Sequence, residues 1–122
     1  MAHLLKKIRK RSTFIKIRKN GILQRGKAFN VEFLNAENLN NSIYVGFTAT
    51  KKIGSAVKRN KAKRILRELV NKIIVKYGKN NSYYVLIAKK PIFEFPFRSH
   101  EIELKKLISW LLNKLKYWLL IF

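Results

Sequence analysis

Cysteine is absent from this chain, and so is aspartate. Without thiols there is no disulfide framework and no thiolate metal site, which fits a reducing intracellular setting. The only carboxylates are Glu32, Glu37, Glu68, Glu94, Glu101 and Glu103. Metal-dependent nucleases, polymerases and helicases gather several carboxylates around Mg²⁺. Here only Glu101 and Glu103 lie close in sequence, and an i, i+2 pair diverges on a helix. Histidine is limited to His3 and His100, too few and too scattered to suggest acid–base chemistry. No phosphate-binding loop is present, because Gly54-Ser55 lacks both the upstream glycine and the following lysine. With 5 glycines and 2 prolines there is no linker or low-complexity block to divide the chain. Long apolar runs are missing too: Lys105, Lys106, Lys114 and Lys116 interrupt the C-terminal LKKLISWLLNKLKYWLLIF, leaving no span of about 18 uncharged residues. The start, MAHLLKKIRKRS, has no apolar segment of the secretory kind. The absences together predict a cytoplasmic protein with no membrane association, no metal held by its side chains and no active site of its own.

Positive charge is what the chain has in excess. There are 28 Lys+Arg against 6 acids, a net +22 on 122 residues. A compact domain repels itself at that charge unless a polyanion neutralises it. The cations run from Lys6 to Lys116, so nucleic acid is the expected partner, with anionic membrane the lesser alternative. Hydrophobic residues at 48% suffice for a real core, and the length suits one domain.

The densest basic stretch, residues 51–67 (KKIGSAVKRNKAKRILR), reads as a loop running into a helix. On a helix Ile65, Leu66, Leu69, Val70, Ile73 and Ile74 share one side, while Asn60, Lys63, Arg64, Arg67 and Asn71 share the other. One face packs on a core. The opposite face lines up guanidinium, ammonium and amide donors, the layout of a helix laid against a phosphate backbone.

The remaining pattern predicts a small α+β domain in the order α-β-β-α-β-α, with one mixed sheet packed against helices. Residues 1–11 are expected as a loosely held basic arm, 12–116 as a single RNA-binding domain and 117–122 as an apolar tail. Ser12 or Thr13 would cap a first helix that stops before Asn20-Gly21. Phe29, Val31 and Phe33 alternate with Asn30 and Glu32 in a first strand, and Ile43, Val45 and Phe47 mark a second, expected to form a hairpin with the first. A further short strand fits near Ile22–Gln24. Ser55 is the expected cap of the basic helix, which should reach about Tyr77 before Gly78. Tyr83 to Ala88 is apolar enough to be a central strand. Ser99, with Glu101 and Glu103 as first-turn charges, would start the last helix.

The sequence Arg59-Asn60-Lys61-Ala62-Lys63-Arg64-Ile65-Leu66-Arg67 resembles the R-N-R-x-K-R-x-x-R signature of the bacterial ribonuclease P protein family. The resemblance continues in Val45-Gly46-Phe47, Lys51-Lys52-Ile53-Gly54-Ser55-Ala56-Val57, Ala88-Lys89-Lys90-Pro91, and Phe14 with Gly21. It spans about residues 12–113. It implies a protein subunit of a ribonucleoprotein endonuclease whose large RNA, using Mg²⁺, removes the 5′ leader of precursor tRNA. The partners implied are that catalytic RNA, bound 1:1, and precursor tRNA. Lys51, Lys52, Lys58, Arg59, Asn60, Lys61, Lys63, Arg64 and Arg67 would face the catalytic RNA. A cleft between the first helix and the sheet would hold the single-stranded leader, with Phe14, Arg18, Lys89 and Lys90 as its candidates. The resemblance also implies a left-handed β-α-β crossover, against the general right-handed preference.

Three positions depart from the family pattern. Lys61 replaces the usual Arg, keeping charge but losing the planar fork. Arg18 stands where a second cleft aromatic is common, and Glu32 where an apolar or aromatic residue is. An anion at Glu32 would repel phosphate unless Arg18 or another cation pairs with it. The aromatics Phe14, Phe29, Phe33, Tyr44, Phe47, Tyr83 and Tyr84 divide between core packing and base stacking, and the sequence does not sort them. A plain RNA-binding module and a DNA-binding architectural protein share the charge signature, but nothing suggests sequence-specific groove readout.

Overall fold

A computed structural model describes residues 5–121, with side chains for residues 5–116. The elements are β1 (Leu5–Lys7), α1 (Arg11–Asn20), β2 (Ile22–Arg25), β3 (Phe29–Asn35), β4 (Ile43–Thr48), α2 (Ala56–Leu69), α3 (Val75–Tyr77), β5 (Ser82–Ala88) and α4 (Phe97–Ile121). A π-helical stretch, Val70–Ile74, joins α2 to α3, so the basic helix is continuous to Tyr77 as its apolar spacing predicts. His3 and Phe122 lie outside the described residues, as do the side chains of the apolar tail.

The five strands form one mixed sheet in the order β1-β4-β5-β3-β2. β5 is central, parallel to β4 and antiparallel to β3. The expected hairpin between β3 and β4 therefore does not form. The backbone of Asn81 shows why: its carbonyl accepts from Ala36 N at 2.8 Å and its N–H donates to Ser42 O at 2.9 Å. These bonds seat the start of β5 between the end of β3 and the start of β4. Asn40, Asn41 and Asn81 take positive φ values of 51°, 59° and 58°, a conformation asparagine tolerates better than most residues.

Strand alternation gives the sheet two chemically different faces. One carries Phe29, Val31, Phe33, Val45, Tyr84 and Leu86, buried beneath Leu66 and Leu69 of α2 and Leu104 and Ile108 of α4. The other carries Glu32, Leu34, Tyr44, Gly46, Tyr83, Val85 and Ile87 and is partly covered by α1 through the fully buried Ile17.

The remaining differences from expectation lie at chain ends and caps. Leu5–Lys7 is not loose but pairs in parallel with β4, and Ile8 is buried behind it, its N–H donating to Val45 O at 2.8 Å. With the chain fixed there, α1 begins directly at Arg11, and Ser12 and Thr13 fall inside its first turn instead of capping it. Likewise α4 begins at Phe97, which packs against the core and winds the helix ahead of Ser99. Glu101 and Glu103 are consequently not first-turn charges. Glu103 instead accepts from Lys27 N at 2.9 Å and Ala28 N at 3.2 Å, closing the β2–β3 turn onto α4.

Candidate nucleic-acid interface

The basic loop reaches α2 through Gly54, whose φ of 134° suits glycine and strains residues that carry a Cβ. Ser55 caps the helix, its Oγ accepting from Lys58 N at 3.3 Å. Arg59 folds back and donates from Nη1 to Gly54 O at 2.8 Å. That guanidinium braces the loop, an arrangement the charge pattern alone does not reveal. Lys51, Lys52 and Lys58 are exposed around this turn. Along the helix, Asn60, Arg64, Arg67 and Asn71 are exposed and Lys63 half-buried, while Ala62, Leu66 and Leu69 are buried against the sheet. Two cations lean on aromatic faces at the helix flanks. Lys61 Nζ lies 5.8 Å from the centroid of Phe93 and the Arg67 guanidinium 6.0 Å from that of Phe47. Such contacts orient a long side chain without using its hydrogen-bond donors. The result is a row of donors on a helix held rigid from behind.

A second surface lies on the opposite side of the sheet. Phe14, on α1, rests over Gly46 of β4. A Cβ at Gly46 would stand 2.6 Å from Phe14 Cε1, so a glycine is needed for the ring to lie this close to the strand. One helical turn on, Arg18 Nε is 3.5 Å from Glu32 Oε2. The anion in this surface is thus paired with a cation. Lys89 donates from Nζ to Gly26 O at 2.7 Å and so ties β5 to the β2–β3 turn. Lys90 is exposed and lines a groove with Thr50, Lys52 and Ile87, and a neighbouring one with Lys52, Lys58 and Phe93. The structure therefore groups Phe14 with Arg18, and Lys90 with the basic loop, at the passage between the two surfaces.

Register sorts the aromatics that the sequence leaves unsorted. Phe29, Phe33 and Tyr84 are core, and Phe47 packs against that core. Tyr44 and Tyr83, facing each other across β4 and β5, share the Phe14 side, with ring centroids 5.6 Å apart. Lys6 Nζ stands 5.8 Å from the centroid of Tyr44. Tyr44 and Tyr83 are among the aromatics the sequence leaves unsorted, and Lys6 is not among the residues expected at the cleft. The available signal was the alternation that places Tyr44 on the same strand face as Gly46, but it does not say which face the first helix leaves open. Among the described residues, no three His or carboxylate side chains come together to hold a metal.

Residues 4–112 match the family described as Ribonuclease P. The chain belongs to the ribonuclease P family. Among ribonuclease P relatives, it is 40% identical over 89 residues to the ribonuclease P protein component of Caulobacter vibrioides, a match covering 71% of this chain and 59% of that protein. The chain thus spans less than two thirds of that relative's length. It is 33% identical over 110 residues to the ribonuclease P protein component of Brucella suis, covering 84% of this chain and 77% of that one. In structure it resembles the RNase P protein of Staphylococcus aureus with a TM-score of 0.71 at 26% identity, over 84% of this chain and 92% of that one. The small α+β domain with one mixed sheet is the ribonuclease P protein fold.

Proposed function

We propose that this chain is the protein subunit of a ribonuclease P ribonucleoprotein that removes the 5′ leader of precursor tRNA in the cytoplasm. The catalytic RNA carries the chemistry with Mg²⁺, and the protein, bound 1:1, supplies charge and position. The observation that carries this reading is the outer face of α2, where Asn60, Arg64, Arg67 and Asn71 stand exposed in one row on a helix anchored by Leu66 and Leu69. Phosphates laid along that row meet charge-assisted donors. The opposite sheet face, with Phe14 half-buried and Arg18 paired to Glu32, takes the single-stranded leader. Lys52 and Lys90 lie between the two and screen one RNA from the other. No helix among the described residues is long and apolar enough to cross a membrane.

The test is the salt dependence of binding to the catalytic RNA. Arg64→Ala or Arg67→Ala, each removing one phosphate contact, is expected to weaken binding and lower the slope of log K against log salt by about 0.7–0.9. An unchanged slope would take that residue off the RNA face.

A further inference from the structure

The groove over the start of β4 and β5, beside β1 and the segment leading into α1, has the composition of a single-strand binding site, and nothing in the α2 interface uses it. Lys6, Lys7, Arg9 and Lys10 line it together with Tyr44, Tyr83 and other residues, and no carboxylate does. The two phenol rings are 5.6 Å apart and tilted by 43°, each half-buried. They are supported from below by the cluster around Ile8, Ile17 and Val85. Tyr44 is two residues from Gly46 on the same face of β4, about 7 Å along the strand, and Gly46 is the residue Phe14 covers. Phe14 and Tyr44 therefore lie on one face of the sheet and pack against the same cluster.

We propose that Tyr44 and Tyr83, with Lys6 beside them, form a second base-stacking station for nucleotides of a single-stranded leader lying beyond the one at Phe14. The inference rests on the leader reading above. The occupant is leader and not catalytic RNA because the helix assigned to the catalytic RNA packs on the other face of the sheet, whereas this groove lies on the face that Phe14 shares.

The experiment uses holoenzyme reconstituted with the catalytic RNA. It measures affinity for mature tRNA, a precursor whose leader ends at the Phe14 surface, and one whose leader continues to the arm. The double variant Tyr44→Leu/Tyr83→Leu keeps apolar bulk and removes the rings. It is expected to weaken only the long-leader precursor, by roughly 5- to 150-fold, the loss of about one stacked base, and Tyr44→Phe/Tyr83→Phe to restore it. Lys6→Ala, on an edge strand, keeps both rings and removes only the cation beside Tyr44: its salt slope should fall by about 0.7 for the long leader alone. Equal loss on all three RNAs, or no loss on any, overturns the station. Phe14→Ala separates the two claims. If it weakens both precursors while the tyrosine variants do nothing, the leader surface stands and the station falls; if it too spares both precursors, the leader reading itself fails.

Discussion

Tyr84 and Glu32 are buried ionisable side chains on opposite faces of the sheet, and each is satisfied in its own way. Glu32, 7% exposed, meets the cation that the sequence suggests for it, Arg18. Tyr84, fully enclosed, accepts from Lys79 N at 2.9 Å. Its hydroxyl is pushed from the ordinary 10.0 up to about 12, because burial penalises the phenolate more than the Lys79 N–H favours it. Unfolded chains lose this proton near pH 10 and folded ones only near pH 12, so the contribution is complete below pH 10 and is lost as pH rises through that window. A shift of that size corresponds to about 3 kcal/mol. Urea denaturation of Tyr84→Phe should show a shallower loss of stability between pH 10 and 12 than the unaltered protein. Parallel curves would contradict it. Tyr83 and Tyr84 also mark a limit of sequence reading. They are adjacent and chemically identical, yet one is core and the other lines a groove, and only the register of β5 against β4 decides which.

At the scale of elements, α2 was legible because a 3.6-residue apolar period and a capping serine are local properties. Both are where the spacing places them. What presents the helix is less visible: Gly54 at φ 134° and the Arg59 guanidinium that closes on its carbonyl. Gly54→Ala forces a Cβ into that conformation and toward Lys58 Cδ at 3.0 Å. The expected cost is about 1–3 kcal/mol in denaturant unfolding, together with weaker binding to the catalytic RNA as the start of α2 shifts. Unaltered stability would show that the loop relaxes freely. The sheet order was not legible from alternation, because β3 and β4 each show the right pattern without naming a neighbour. β5 intervenes through bonds at Asn81, whose backbone meets Ala36 and Ser42 and whose side chain accepts from Leu39 N and Asn41 N, and an asparagine in a turn does not say which distant loop it will hold. β1 was hidden for another reason: three residues of an edge strand inside a basic run have too little period to detect.

At the scale of the whole molecule, the charge that the composition announces is divided between two sides of one sheet. The helix layer faces one way with its cationic row, the thinly covered strand face the other, and Lys52 and Lys90 stand between them. Two of the six acids are occupied internally, Glu32 by Arg18 and Glu103 by the Lys27–Ala28 backbone, so fewer anions oppose an approaching RNA. A two-sided cation of this kind brings together two polyanions that otherwise repel, and its benefit is greatest when Mg²⁺ is scarce. The most direct test is 5′ processing of labelled precursor tRNA at low Mg²⁺ with catalytic RNA alone, this protein alone, and both. The expected result is no cleavage by the protein, slow cleavage by the RNA, and strong stimulation when they are combined. Binding of the catalytic RNA without any stimulation of processing would contradict it.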